Sequence, residues 1–153
     1  MGWLLTIPLV LPFLTAVAAF LTRESASGRW ISVLGNVLFL GAAILLFSHV
    51  YDKGVVAGQM GNWPAPFGIT LVADYLSAVM VVITAITALA VSIYALADIN
   101  TRKEHLGYHA LFNILIGGVT GAFITGDLFN LYVWFEVMLI SSFGLLVLGG
   151  SKA

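Results

Sequence analysis

Residues Thr125 to Gly150 read TGDLFNLYVWFEVMLISSFGLLVLGG, an apolar run with one carboxylate, Glu136, near its centre. A hydrocarbon core of about 30 Å is crossed by about 20 helical residues rising about 1.5 Å each, so this run is long enough to span. With a helix that starts near Leu128, Glu136 lies about 12 Å below the membrane surface. An ionised carboxylate at that depth is costly, so such residues are rare and face protein or water rather than lipid. Two readings follow: a proton or ion relay with a cationic partner, or a structural acid held by hydrogen bonds. The rarity of the residue type favours the relay. At about 100° per residue, Tyr132, Val133, Leu139 and Ile140 share the face of Glu136, and Phe129 and Phe143 extend it. Asp127 points to the opposite side, so the two acids do not form a vertical relay on one helix.

The rest of the chain has the same character. Of its 153 residues 61% are hydrophobic and 8% charged, against about 25% charged in a soluble domain. The expected fold is an all-α integral membrane protein of about five transmembrane helices. The expected spans are residues 3–22, 30–50, 71–97, 106–125 and 128–149, as a single helical unit with residues 51–70 as an extracytoplasmic loop. No basic patch points to nucleic acid. Cysteine is absent, which excludes disulfides, thiolate metal sites and cysteine-held iron–sulfur clusters in this chain. There is no Gly-rich phosphate loop and no nucleophile–base arrangement, so neither covalent enzyme chemistry nor a cofactor is expected.

The first span carries Pro8 and Pro12, which should bend it. A signal peptide is the competing reading, but no positive residue precedes the apolar run and the run is long for one. The polar link RESASGR (23–29) leads to a second span in which Gly35, Asn36 and Gly41 suit close helix contact. The loop YDKGVVAGQMGNWPAPFGIT is punctuated by Gly and Pro. Within it VVAGQMGNW suits a short surface hairpin, and Trp63 and Phe67 are placed as interfacial anchors. On the third span Asp74 sits in the first turn, where an acid suits the helix dipole better than a transport role. Ser77, Thr84, Thr87 and Tyr94 read as a polar stripe on one face, serving helix packing ahead of a water-lined path. The fourth span carries Gly117-x-x-x-Gly121, a loose close-packing motif, with Asn113 one turn before it and able to hydrogen-bond across the interface. Asp127 is placed to cap the fifth helix.

Orientation follows from Lys and Arg. Arg23, Arg29, Arg102, Lys103 and Lys152 fall on one side and Lys53 alone on the other, which puts the N-terminus outside and the C-terminus inside. No Lys or Arg lies at the depth of Glu136, so its cationic partner belongs to another polypeptide or a missing segment. His105 and His109 are four apart and can face one way at the inner surface. A polar helix start is the plain reading, proton entry the functional one; a metal lacks further ligands. His49 reads as interfacial.

GNWPAPFGITLVADYLSAVM and GVTGAFITGDLFNLYVWFEVMLISSFGLLVLGG together resemble the N-terminal part of the MrpD subunits of Mrp-type multisubunit Na⁺/H⁺ antiporters. Those subunits belong to the antiporter-like family which also supplies proton-pumping membrane subunits of respiratory complex I and membrane-bound hydrogenases. The likeness covers nearly the whole chain; GDLFNLYVWFEVMLISS is its specific part, and the first two spans are generic. It implies that Glu136 matches the family's essential fifth-helix glutamate, which pairs with a lysine on a broken seventh helix. It implies a bacterial or archaeal cytoplasmic membrane, partner membrane subunits of an Mrp-type or complex I-like assembly, and H⁺ with Na⁺ or K⁺ as transported ions. Family members have about fourteen helices, including two inverted repeats each with a broken helix, of which this sequence holds the three leading helices and the first two of the first repeat. The expectation is a split subunit, a truncation or a fragment that contributes half of a proton path. The alternative is a structural or proton-channel subunit of a related redox complex such as a membrane-bound hydrogenase. Beside Glu136, the secondary candidates are Asp127, His105, His109, Thr84 and Thr87.

Overall fold

The computed structural model describes residues 2–63 and 67–149. The centre of the long loop (64–66) and Lys152, counted above among the inner cations, lie outside the described residues. Among the described residues six α-helices, one hairpin and a 3-10 turn (Met60–Asn62) follow in order. They are α1 (Trp3–Leu21), α2 (Ser27–Lys53), β1 (Val56–Gln59), β2 (Thr70–Ala73), α3 (Tyr75–Asp98), α4 (Thr101–His105), α5 (Tyr108–Ile124) and α6 (Leu128–Gly149). Among them α1, α2, α3 and α6 are long and apolar enough to cross a membrane, and α5 is a shorter apolar helix.

Lipid tails are as apolar as leucine, so helices in a bilayer associate through close packing and hydrogen bonds rather than hydrophobic exclusion. The buried surfaces fit that rule. Helices α1, α2, α3 and α5 enclose a core of Leu5, Leu9, Phe39, Ala43, Leu46, Val81, Ala85 and Ile116. Helix α3 adds Ala78, Ala88 and Ala95 to its buried side. A methyl group on Gly35 would come within 2.2 Å of Thr15 Oγ1, so α1 and α2 touch where glycine permits it. Gly41 was expected to serve the same purpose, but nothing lies within 4 Å of its missing side chain. Helix α6 packs mainly on α5, touches α1 through the Phe13 and Trp134 rings, and leaves most of its surface uncovered.

Two expectations for the long loop are corrected. Strand β1 pairs antiparallel with β2, Val56 opposite Ala73 and Gln59 opposite Thr70, rather than with a segment of VVAGQMGNW. Residues 71–73, expected inside the third span, are therefore strand. The helix starts at Tyr75 because Asp74 caps it: its carboxylate accepts from Ser77 N–H at 2.8 Å, and Ser77 Oγ accepts from Asp74 N–H at 3.0 Å. That reciprocal box fixes the boundary which apolar content alone cannot. Leu71 and Ala73 are buried, so the hairpin closes one end of the bundle. The outer edge of β2 is also used: Gly126 N–H donates to Thr70 O at 2.8 Å, and Leu71 bridges Thr125.

Candidate functional site

Helix α6 is fastened along one stripe. Asn130 and Ser141 are buried, and Asn130 Nδ2 donates to Thr125 Oγ1 at 2.9 Å. Gly121 of α5 lies against the Trp134 indole and Gly118 against Met138. Gly117, the first glycine of the motif, instead meets Phe13 of α1. The glycines thus receive aromatic and methionine side chains on two sides of α5, and at Gly118 the backbone of α6 also comes close, Met138 N lying 3.3 Å from where a Cβ would stand. This stripe places Glu136 midway along α6, level with the Gly118–Gly121 stretch of α5.

Glu136 does not lie on that stripe. It is half-buried, and the residues on its face are exposed: Phe129, Tyr132, Val133, Leu139, Ile140 and Phe143. Tyr132 stands one turn away on the same face. No Lys or Arg among the described residues approaches its depth. Arg23 lies in the α1–α2 link, Arg102 and Lys103 in α4, and Arg29 and Lys53 at the two ends of α2. Two larger clefts, about 390 Å³ between α1 and α5 and about 480 Å³ beside Asp74 and Phe123, do not reach Glu136.

The other candidates separate. Asp127 Oδ1 accepts from Phe129 N–H at 2.9 Å, which makes it the cap of α6. Thr84 is buried and Thr87 exposed; each hydroxyl donates within α3, to Met80 O at 2.8 Å and to Ile83 O at 2.9 Å. Tyr94 is exposed, so the expected stripe divides between two faces and its threonine hydroxyls do not reach another helix. His105 and His109 do not face one way. Gly107 adopts φ +97° between α4 and α5, a left-handed conformation that ends one helix and redirects the next. His105 is left exposed and His109 is buried.

Sequence reasoning passed over the residues that meet His109. Glu104 Oε1 lies 3.4 Å from His109 Nε2, and Glu104 Oε2 accepts from Arg29 Nη2 at 3.0 Å. Asn113 does reach across the interface, its Nδ2 donating to Ser32 Oγ at 2.9 Å and its Oδ1 accepting from Asn36 Nδ2 at 3.3 Å. The available signal was a lone Glu inside the basic link TRKEH. Among the described residues no three His, Asp or Glu side chains gather as a metal site.

A helical bundle with four helices long and apolar enough to cross a membrane, among the described residues, and a mid-depth carboxylate on one of them defines an all-α integral membrane protein. No protein-family model matches the chain. It is 41% identical to the MrpD-type Na⁺/H⁺ antiporter subunit of Alkalihalophilus pseudofirmus, over 99% of this chain and 31% of that protein. It is 45% identical to the corresponding subunit of a probable K⁺/H⁺ antiporter of Rhizobium meliloti, over 95% of this chain and 28% of that protein. Among solved structures, the Mrp complex from Dietzia matches with a TM-score of 0.85 at 32% identity, over 95% of this chain and 28% of the other. The archaeal membrane-bound sulfane sulfur reductase also matches with a TM-score of 0.85, at 25% identity over 91% of this chain and 29% of the other. The chain spans about a third of the length of the relatives it matches. Over nearly its whole length it is a homologue of the MrpD subunits of Mrp-type antiporters.

Proposed function

We propose that these residues form part of a subunit of a multisubunit monovalent cation/proton antiporter, and that Glu136 is a protonatable relay within it. The observation that carries this reading is the position of Glu136. It is half-buried at mid-depth on a flank of α6 that its own bundle leaves uncovered. A carboxylate facing lipid there is costly, so further protein covers that flank. No cation among the described residues stands at its depth, so the partner lies outside them. The resemblance supplies a lysine on another segment for that role. The Lys/Arg distribution supports an orientation with the hairpin end outside and the α4 end inside. The match to a respiratory sulfur reductase complex leaves a redox-complex subunit as the second reading. The lower identity of that match ranks it behind the antiporter.

Glu136→Gln keeps shape and hydrogen-bonding capacity and removes the titrating proton. It is expected to assemble normally, since a neutral amide costs less in the bilayer than a charge. It should abolish or strongly reduce cation-coupled proton movement in vesicles bearing the assembled complex. Glu136→Asp, shorter by one methylene, should keep part of the activity. The measurement is dissipation of ΔpH on cation addition at matched amounts of complex. Unchanged transport by Glu136→Gln rejects the relay and leaves the structural reading.

A further inference from the structure

At the α4 end of the bundle, three helices bring together charged groups for which the Glu136 relay has no use. Arg29 comes from the first turn of α2, Glu104 from α4 and His109 from the first turn of α5. A carboxylate on a five-residue surface helix is free to point into water. Glu104 is instead 7% exposed, turned under α4 between the Arg29 guanidinium and the His109 imidazole. His109 is 4% exposed. Its carbonyl accepts from Asn113 Nδ2 at 2.7 Å, and the same amide reaches Ser32 of α2, so the backbone beneath the imidazole is fixed.

Two buried nitrogens in this group have no protein partner, Arg29 Nε and His109 Nδ1. Both residues line one cavity of about 10 Å³, together with Ser25, Gly28, Glu104 and Gly107. That is about the room one water needs, and a buried water is held by two to four polar partners. The two nitrogens are complementary for it. Arg29 Nε–H can only donate, and the Nδ1 of a neutral imidazole whose proton sits on Nε2 can only accept.

We propose that Arg29, Glu104 and His109 form a proton-binding site separate from Glu136, completed by one buried water between Arg29 Nε and His109 Nδ1. With His109 neutral, Nε2–H donates to Glu104, and the water accepts from Arg29 and donates to Nδ1. A proton arriving at Nδ1 turns the water round, so that it accepts from both nitrogens. The added charge is met by Glu104, which then pairs with two cations. The other charged or titratable groups at this end are Arg23, which lines the cavity from the α1–α2 link, and Tyr108, whose ring meets that of His109 edge-on. The exposed Arg102 and His105 and the partly exposed Lys103 of α4, Glu24 of the α1–α2 link and Asp98 at the end of α3 complete the surroundings, and the described part of α6 places no charged group here. Beyond His109 the polar groups are Asn113, Ser32 and Asn36, which hydrogen-bond but do not titrate in this range. A proton bound at His109 is therefore held at this end of the bundle and is not passed along these side chains toward Glu136.

The test uses the assembled complex with ¹⁵N-labelled histidine rings. Signals lost in His109→Gln identify the His109 nitrogens. They are expected to titrate reversibly, and Nδ1 should show magnetisation transfer from a long-lived water. Glu104→Gln should displace the His109 midpoint. Arg29→Lys keeps a cation but deletes Nε, and should remove the water signal while titration persists. His109 nitrogens that stay constant between about pH 5 and pH 8, or a midpoint indifferent to Glu104→Gln, overturn the proposal. Retention of the water signal in Arg29→Lys overturns the bridging arrangement. None of these readouts depends on transport, so they stand or fall apart from the antiporter reading.

Discussion

Gly121 and the Trp134 indole leave no room for a methyl group between α5 and α6. A Cβ at position 121 would stand 2.3 Å from the nearest ring carbon, whereas ordinary contact begins near 3.4 Å. Gly121→Ala therefore requires the indole, or the whole of α6, to retreat by about 1.1 Å, the difference between those distances. The ring cannot simply swing aside, because its other neighbour is Phe13, with centroids 6.1 Å apart. Overpacking of this kind costs about 1–3 kcal/mol. Trp134 is two residues from Glu136, so a retreat of α6 carries the carboxylate with it, and a displacement of about 1 Å at a reacting group can cost about 100-fold in rate. Two assays at matched assembly read the two effects: the thermal midpoint of the purified complex and cation-coupled proton movement in vesicles. Gly121→Ala should lower both. Trp134→Leu should weaken packing alone, but the double variant should recover part of the loss, because the smaller side chain yields the space the methyl group needs. A coupling of about 1 kcal/mol or more is expected for two groups in contact. Strictly additive effects, or a Gly121→Ala complex as stable and active as the unmodified one, would refute the steric account.

Three further outcomes can be checked. Asp127→Asn should retain much of the transport in an assembled complex, because an amide oxygen can still accept from Phe129 N–H as a cap; total loss at normal assembly would give Asp127 a role beyond capping. Cysteines placed at Ser27 and Gly58 should differ toward an impermeant reagent added outside, with Gly58 labelled and Ser27 protected; the reverse pattern overturns the orientation. The Ser77 hydroxyl, and then its backbone N–H, hold the Asp74 carboxyl below the usual carboxylate range. The capping contribution is therefore present above that range and is lost as pH falls through the lowered folded value. The thermal midpoint of the unmodified complex should fall more than that of Asp74→Asn below about pH 4, and parallel curves would contradict the capping account.

The membrane character was legible because apolar runs of bilayer length occur for few other reasons, and the specific block around Glu136 was enough to point to the family. The depth of Glu136 along its helix could be counted from Leu128, and its apolar face worked out from the turn angle. What escaped were features decided by tertiary contact. Leu71, Val72 and Ala73 suit either a strand or a helix, and only the Asp74–Ser77 box together with the β1 partner excludes the helix. His105 and His109 have helical spacing, but Gly107 breaks the helix between them. Thr84 and Thr87 satisfy their hydroxyls within their own helix, as an isolated hydroxyl in an apolar setting must. Glu104 looked like a solvated link residue because its partners, Arg29 and His109, are distant in sequence or across a turn.

The hydrogen bond from Gly126 to Thr70 turns chain length into a gauge. Helix α6 begins two residues after that fixed point, and the hairpin leaves its start no slack to take up a change. One residue inserted between Gly126 and Glu136 would sink the carboxylate by about 1.5 Å and swing it by about 100° around the helix. The same insertion after Glu136 would leave the carboxylate where it is. Tolerance to insertion should therefore be unequal along α6, strict over its first nine residues and relaxed beyond them.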